Sequence, residues 1–378
     1  MLSQDHQRIR NTATVIIVVL FILTTLFTAG CLNKRQYGTG DIITGIWILK
    51  VDADGNKQWT TIIDGDPKIT GAAIIQTSDG GYAVAGTEGL IPRIFTFDAG
   101  GEAVSDIAID TTLEWGESLV EAPGGGYVVA GHSGVLTRMD VRGNTLWNTS
   151  IDDESERGER LVLVRAPNGG YAVVGNNQSV RLDENGMTLW ETAFAPDKSA
   201  RTIITAPAGG FVTGGTCDAG AWVAQLNAEG DRVWNRTFSN ELLTRLYIVR
   251  LSPAGTYDLI YATEQVITRG PEYSFFTETT EVSLSAKGEL IAERPVQASP
   301  FIVATEDGGY AYAGYSNPKY NQLHESGHRG TPLQVVKLDN DGAVTWDKSF
   351  NIGNDRYVTS IIQTADGGFA IFGNSIYF

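Results

Sequence analysis

Residues 74–86 read IIQTSDGGYAVAG, and residues 361–373, near the other end of the chain, read IIQTADGGFAIFG. Each segment is two short apolar runs joined at a glycine pair, which is the pattern of a β-hairpin because glycine supplies the positive φ of a tight turn. The phrase recurs seven times at intervals of 40 to 59 residues, which is typical of a propeller or a solenoid. Its aromatic residue falls at Tyr82, Tyr127, Tyr171, Phe211, Tyr257, Tyr310 and Phe369.

A second phrase alternates with the first, and residues 47–59, WILKVDADGNKQW, are its first occurrence. In it Asp or Asn, once Ser, is followed three residues later by Gly, which predicts a second tight turn. Four residues past that Gly a Trp occurs in five of seven repeats, at Trp59, Trp147, Trp190, Trp234 and Trp346, while Ser105 and Ala292 stand in the other two. Two hairpins per repeat predict a blade of four antiparallel strands, named a, b, c and d.

The two ends of the chain carry complementary halves of one repeat. A c–d hairpin is predicted near residues 42–63 and an a–b hairpin near residues 358–376. We therefore predict an all-β, seven-bladed β-propeller over residues 42–378 whose last blade is closed by both halves, because this join removes exposed sheet edges. A linear β-solenoid is the alternative, but its capping repeats would be atypical at both ends.

The N-terminus has the order of an export signal. Two arginines precede an apolar run over residues 13–27, shorter than the ~20 residues that cross a bilayer as a helix. Small residues directly before Cys31 resemble the lipobox of secreted lipoproteins, in which Cys31 would be lipidated; an uncleaved anchor and free secretion are the alternatives. We predict a signal peptide or anchor over residues 1–30, a tether over 31–41, and a propeller outside the cytoplasmic membrane.

Composition limits the classes of partner and indicates how the fold is stabilised. The formal net charge of −16 makes nucleic acid a poor partner. Apart from Cys31 the only thiol is Cys217, so no disulfide framework is expected and the core must supply stability to a monomer. Three sequons predict possible glycosylation at Asn148, Asn177 and Asn235.

One face of the predicted disc is the candidate binding site. Both kinds of tight turn must share one face because the strands alternate in direction, so the b–c and d–a connections share the other. Binding residues usually lie on variable loops of a rigid scaffold, and here the longest are b–c loops near residues 263–277 and 316–332, in neighbouring blades. Exposed aromatics with Arg are typical of interfaces and sugar sites; the alternative is that they pack their own loops. The candidate ligand-face residues are Trp115, Arg269, Tyr273, Phe275, Phe276, Tyr320, His324, His328 and Arg329.

Strand a is predicted to line a central channel. The residue six positions before each aromatic is then expected to solvate that channel. These positions hold Gln76, Glu121, Arg165, Thr205, Leu251, Ala304 and Gln363.

Three motifs resemble metal-binding or catalytic sites, but the sequence around each favours another interpretation. Residues 324–328 spell H-E-x-x-H, a zinc signature that needs a helix, but Gly327 lies inside the pentad and a third ligand is missing nearby. Asp-x-Asp-Gly at 52–55 and 339–342 lacks the distal Glu of calcium loops and fits a turn. The acidic segment 152–160 is interpreted as a solvated loop rather than a glycosidase pair. No metal and no catalytic residue is predicted.

The aliphatic strand, the Leu-Asp-x-x-Gly turn and the following Trp resemble the quinoprotein-like propeller family with its tryptophan-docking repeats, over essentially residues 42–378. The repeats also look like those of uncharacterised surface proteins of archaea and bacteria. The resemblance implies a scaffold. Quinone-dependent dehydrogenases of the family typically have eight blades, a vicinal cysteine pair and a bound calcium, which this sequence does not match, so no cofactor is predicted.

Together these patterns predict a non-enzymatic, membrane-tethered extracytoplasmic module that binds a protein or a glycan through its b–c and d–a face. The alternatives are an envelope hydrolase, metal-dependent or a glycosidase, and an assembly scaffold.

Overall fold

The computed structural model describes residues 43–65, 68–109, 116–131, 134–151, 161–175, 177–207, 209–239, 243–269, 272–317, 322–324, 331–353 and 356–377. Within these ranges the chain forms β-strands and turns but no helix, and therefore no helix of membrane-spanning length and hydropathy. The compact unit runs from Ile43 to Tyr377.

The strands fall into seven sets. The first two are β1 (Ile43–Val51) and β2 (Lys57–Gly65). Blade 1 comprises β3 (Ile69–Gln76), β4 (Tyr82–Glu88), β5 (Ile91–Phe97) and β6 (Ala103–Ala108). Blade 2 comprises β7 (Gly116–Glu121), β8 (Tyr127–Gly131), β9 (Val135–Met139) and β10 (Thr145–Ser150). Blade 3 comprises β11 (Val162–Arg165), β12 (Tyr171–Gly175), β13 (Gln178–Leu182) and β14 (Thr188–Ala193).

The second half of the chain continues the series. Blade 4 comprises β15 (Ser199–Thr205), β16 (Phe211–Cys217), β17 (Gly220–Leu226) and β18 (Arg232–Ser239). Blade 5 comprises β19 (Leu243–Leu251), β20 (Tyr257–Arg269), β21 (Glu272–Leu284) and β22 (Leu290–Pro295). Blade 6 comprises β23 (Phe301–Ala304), β24 (Tyr310–Asn317), β25 (Gln322–His324), β26 (Leu333–Leu338) and β27 (Val344–Phe350). The last two strands are β28 (Arg356–Gln363) and β29 (Phe369–Tyr377).

Blade 7 joins the two ends of the chain in one sheet of order β2-β1-β29-β28. Strands β1 and β29 pair antiparallel over nine positions, from Ile43↔Tyr377 to Val51↔Phe369. This confirms the predicted seven-bladed propeller and its shared closing blade. Blades 1 to 6 are antiparallel sheets whose strands follow chain order, with β25 added beside β24 in blade 6.

Strand a is the innermost strand of each blade and strand d the outermost. Neighbouring blades meet through their a strands, as β3 does with β7 and β28. Strand d is largely exposed, whereas strands b and c are almost wholly buried. The core therefore lies in the seams between blades, where apolar side chains of b and c from one blade pack on the next.

Five of the seven seams are closed by the repeated Trp. In each, the indole N–H donates to a backbone oxygen in the c–d turn of the following blade, as Trp190 does to Ala228 at 2.8 Å. The ring lies on the turn glycine: a Cβ on Gly230 would be 2.6 Å from Trp190 Cδ2, and Gly230 has a φ of +87°. The other four donor–acceptor pairs are Trp59–Ala99, Trp147–Glu184, Trp234–Ala286 and Trp346–Ala53. The repeated Gly and Trp therefore form contacts between blades, because the Trp of one blade packs on the turn Gly of the next.

Candidate functional site

The turn face, formed by the a–b and c–d turns, is uniform. In the described part of the chain all fourteen of these turns make the same pair of backbone hydrogen bonds, such as Asp52 N–H to Asn56 O and Gly55 N–H to Asp52 O. The Asp or Asn that opens a turn also accepts from later backbone N–H groups, as Asp140 does from Asn144 at 2.9 Å. This face is built by repetition and varies little from blade to blade.

The loop face, formed by the b–c and d–a connections, varies widely. In blade 4, Cys217 at the end of β16 pairs directly with Gly220 at the start of β17, so the connection is two residues long. In blade 5 the same connection is the longest hairpin of the described chain. Difference between blades is therefore concentrated on this face, as the sequence predicted.

The blade 5 connection is a β-hairpin arm rather than the predicted loop over residues 263–277. Strands β20 and β21 stay in register from Tyr257↔Leu284 to Arg269↔Glu272. Strand β19 pairs with β20 only as far as Glu264, and β22 pairs with β21 only from Thr280. Five pairs extend beyond Glu264, which is about 17 Å at the rise of an antiparallel strand. The β-branched and aromatic residues of the segment favour this continued pairing over an irregular loop.

A second extension lies in the neighbouring blade, blade 6. There β25 folds back on the end of β24, pairing Tyr315↔His324, Ser316↔Leu323 and Asn317↔Gln322. Both extensions are b–c connections, which agrees with the sequence analysis. His324, the first residue of the H-E-x-x-H pentad, is thus in a strand, and residues 325–328 lie outside the described residues.

The structure describes the backbone of some candidate ligand-face residues and not of others. The backbones of Arg269, Tyr273, Phe275 and Phe276 belong to the arm, and that of His324 to β25; their side chains lie outside the described part. The remaining candidates, all outside the described residues, are Trp115, Tyr320, His328 and Arg329. Cys31 and the N-terminal segments 1–30 and 31–41 are outside it as well, so their roles stay predictions.

The three sequon asparagines are exposed. Asn148 and Asn235 lie on the outermost strands β10 and β18, each directly after a docking Trp. Asn177 lies in the b–c connection of blade 3, and its carbonyl accepts from Phe194 N–H at 2.5 Å. A glycan on any of them is sterically possible, and glycosylation remains a prediction.

Part of the predicted channel lining has a structural role instead. Glu121 accepts from Ser78 N–H at 2.7 Å, Gln76 from Ala365 N–H at 2.8 Å, and Gln363 from Glu306 N–H at 2.9 Å. Each acceptor caps the a–b turn of the preceding blade. Gln76 and Gln363 therefore join blade 7 to its two neighbours, and Glu121 joins blades 1 and 2. The expectation of a merely solvated lining missed these contacts.

Sequence analysis also missed a buried ionic cluster at the seam between blades 5 and 6. Arg250, Asp258 and Glu281 are each 5% exposed or less. Arg250 Nη2 lies 2.9 Å from Asp258 Oδ2, and Arg294 Nη2 lies 2.5 Å from Glu281 Oε2. The Tyr310 hydroxyl donates to Glu281 Oε1 at 2.7 Å, and burial together with the nearby carboxylates raises its pKa well above 10 despite Arg250. This seam has Ala292 in place of the docking Trp, and Arg294 donates to Asn340 O at 2.7 Å in its stead.

An alignment of the repeats would have revealed the cluster. In the other six blades the position of Arg250 is apolar, being Ile75, Val120, Val164, Ile204, Val303 and Ile362. The position of Asp258 is likewise Ala or Val. Charged residues at two inward positions of the same blade are the signal, because a buried charge needs a partner.

Among the described residues no three His, Cys, Asp or Glu side chains are placed to hold a metal ion. The charged groups of the cluster are paired with one another within the seam. The candidate interaction surface is the loop face around the extensions of blades 5 and 6.

Comparison with protein-family models gives no match, and comparison with curated proteins gives none either. Solved structures do match. A streptogramin B lyase aligns with a TM-score of 0.59 at 11% identity, covering 88% of this chain and 98% of its own. Virginiamycin B lyase from Staphylococcus aureus gives 0.57 at 9% identity over 87% and 99%. The WD40 domain of Neurospora crassa Pan2 gives 0.52 at 10% identity over 81% and 88%. At these identities the likeness shows the propeller fold and nothing of activity.

Proposed function

We propose that this propeller is a non-enzymatic interaction module of the cell envelope that binds a partner, a protein in preference to a glycan, through its loop face. The observation that carries the proposal is the hairpin arm of blade 5. Over Gln265–Arg269 and Glu272–Phe276 the arm extends beyond its neighbours β19 and β22, with no further strand beside it among the described residues.

The arm favours a protein partner because of its backbone. In an antiparallel hairpin every second residue directs its N–H and C=O away from the paired strand. Such an edge accepts an extended segment of another chain through main-chain hydrogen bonds. The adjacent β24–β25 hairpin adds a second projecting element on the same face. Two neighbouring projections on a rigid ring are a suitable geometry for a protein-binding surface.

Membrane tethering is part of the proposal and rests on the sequence. The apolar run at 13–27 and Cys31 precede the propeller, and β1 begins at Ile43 on the loop face. Kinship with the quinoprotein-like, tryptophan-docking family is likewise proposed, supported by the five Trp–turn contacts.

The test uses the full-length protein in detergent as bait for envelope proteins and a glycan array as the second arm. Tyr273→Ala, Phe276→Ala and Tyr320→Ala are combined in one variant. The matched control combines Val104→Ala, Leu146→Ala and Val233→Ala, three exposed apolar side chains on outer strands near the turn face. We expect the loop-face variant to lose a protein partner that the control retains.

Two results would overturn the proposal. One is retention of the same partner by the loop-face variant with loss by the control. The other is turnover of an envelope polymer by the wild-type protein that Ala at His324 and His328 abolishes, which would make the face an enzyme site.

A further inference from the structure

A cavity of about 440 Å³ opens on the turn face between blades 3 and 4. This size lies within the usual range of small-molecule sites. Its walls include Asn168, Arg181, Leu189, Trp190, Ala228 and Glu229. It is separate from the loop face, so what it binds does not depend on the function proposed above.

Among the described residues, the cation in this cavity, Arg181, has no acidic partner. Arg181 is 7% exposed, and its guanidinium donates to the backbone oxygens of Tyr171, at 3.0 Å, Leu182 and Gly169. No carboxylate of the described residues lies within 4 Å of it, and Asp183 acts on it only at longer range. Burial lowers the pKa of Arg181 from its usual value, with Asp183 opposing. A buried charge without a counter-charge is costly.

Other blades of the same chain supply the missing acid. Lys50 and Lys337 occupy the position of Arg181 in blades 7 and 6, and each lies 2.8 Å from an aspartate of its a–b turn. Those aspartates are Asp366 and Asp307. At the corresponding place in blade 3 stands Asn168, whose amide carries no charge.

The preceding seam shows what fits the space. Between blades 2 and 3, Arg138 and Trp147 correspond to Arg181 and Trp190, and Glu184 stands where the next seam has Ala228. Glu184 Oε1 lies 2.8 Å from the point where a Cβ on Gly169 would be. The residue equivalent to Gly169 in the next blade, Gly209, lines the cavity.

A hydroxyl is missing from the later seam as well. Tyr171 packs against Trp147, whereas Phe211 packs against Trp190. Burial raises the pKa of Tyr171, Arg138 lowers it and Glu184 raises it, so both charges act at that hydroxyl. Between blades 2 and 3 the chain thus places the Glu184 carboxylate and the Tyr171 hydroxyl in the seam, whereas Arg138 itself donates to backbone oxygens. Between blades 3 and 4 it places Ala228, Phe211 and the cavity.

We propose that the cavity between blades 3 and 4 binds the carboxylate of a small organic acid with an apolar body. The carboxylate lies toward Arg181, on the side of the cavity where the preceding seam has Glu184. The apolar body contacts Leu189, which is 58% exposed, and the half-buried ring of Trp190. Glu229 lies exposed at the edge, where solvent ions screen its charge.

The probe is phenylacetate, with its neutral amide phenylacetamide as the comparison, titrated into the full-length protein and followed by calorimetry. We expect one site with a Kd of about 1 mM or tighter for the acid, and binding at least about tenfold weaker for the amide. We also expect phenylacetate, but not the amide, to raise the melting temperature.

Two substitutions exchange the residue types that distinguish the two seams, at positions 184 and 228. Ala228→Glu introduces the carboxylate of the preceding seam and is expected to weaken phenylacetate binding at least about tenfold while raising the melting temperature without ligand. Glu184→Ala is expected to create a second site, so that the stoichiometry rises from one to two. The matched control is Ala99→Glu, at the same turn position in blade 1, where Lys50 of the adjoining blade already has its aspartate; it is expected to bind as wild type.

The proposal is overturned if phenylacetate and its amide bind equally, or if neither binds at millimolar concentration. It is also overturned if Ala228→Glu binds phenylacetate as tightly as wild type. Loss of binding in Ala99→Glu alone would place the site at another seam.

Discussion

The turn face and the loop face differ in how much they vary from blade to blade. On the turn face, fourteen turns repeat one hydrogen-bond pattern, and the docking Trp rings, the buried cations and the ionic cluster all lie close to it. On the loop face the connections range from two residues to a projecting arm. The difference teaches that the polar contacts that recur from blade to blade lie at one face, which leaves the connections at the other free to diverge.

The strongest test of this contrast is the ionic cluster. Glu281→Ala leaves the buried Arg250 without one partner and the half-buried Arg294 without its ion pair. We expect a loss of about 3–5 kcal/mol in the free energy of unfolding, measured by urea denaturation. Glu191→Ala, an exposed carboxylate on an outer strand, is the control and should change it by less than about 0.5 kcal/mol. A cost for Glu281→Ala as small as the control's would contradict the role given to the cluster.

Removal of a docking Trp should cost somewhat less. Trp234 is half-buried, contacts Gly288 and donates to Ala286 O at 3.1 Å. Trp234→Ala is expected to lower the free energy of unfolding by about 2–3 kcal/mol, below the range for fully buried aromatics. The adjacent exposed Val233→Ala should leave it nearly unchanged. If both variants unfold alike, the Trp contact does not hold the seam.

A smaller, pH-dependent effect is expected at Lys50 and Asp366. Burial alone would raise the pKa of Asp366, but hydrogen bonds from Lys50 and Thr364 lower it to about 2. Since the folded pKa is depressed, this stabilisation is present above the unfolded value near 4 and is lost as the pH falls toward 2. Asp366 is 59% exposed, so the contribution is less than about 1 kcal/mol.

Asp366→Asn measures that contribution directly. Its melting temperature should lie below that of the wild type at pH 7, and the two should converge as the pH falls from 4 to 2. A gap that persists at pH 2 would show that the carboxylate charge is not responsible.

The sequence alone predicts the scaffold well because each repeat contains two turn motifs, Gly-Gly-aromatic and Asp-x-x-Gly, one for each hairpin of a blade. The closing blade followed from the unmatched hairpins at the two ends. Pairing of the arm was missed because a long connection between two strands gives no periodic signal that distinguishes a loop from a continued ladder.

The charged features were missed for a different reason. Glu281 and Arg294 meet across neighbouring strands, and Arg250 meets Tyr310 across a seam, so neither pair is adjacent in sequence. The cavity beside Arg181 is defined by what Ala228 and Phe211 lack relative to Glu184 and Tyr171. Such an absence becomes meaningful only when two seams are compared in space.

The most direct measurement of the central claim is removal of the arm. Residues 266–275 are replaced by Asn-Gly in the full-length protein, so that Gln265 and Phe276 are joined by a tight turn. We predict a melting temperature within about 2 °C of wild type, because the arm lies beyond the blade, together with loss of the partner captured by the wild-type protein. A melting temperature that falls by more than that, or a partner still bound by the trimmed protein, would contradict the assignment of recognition to the loop face.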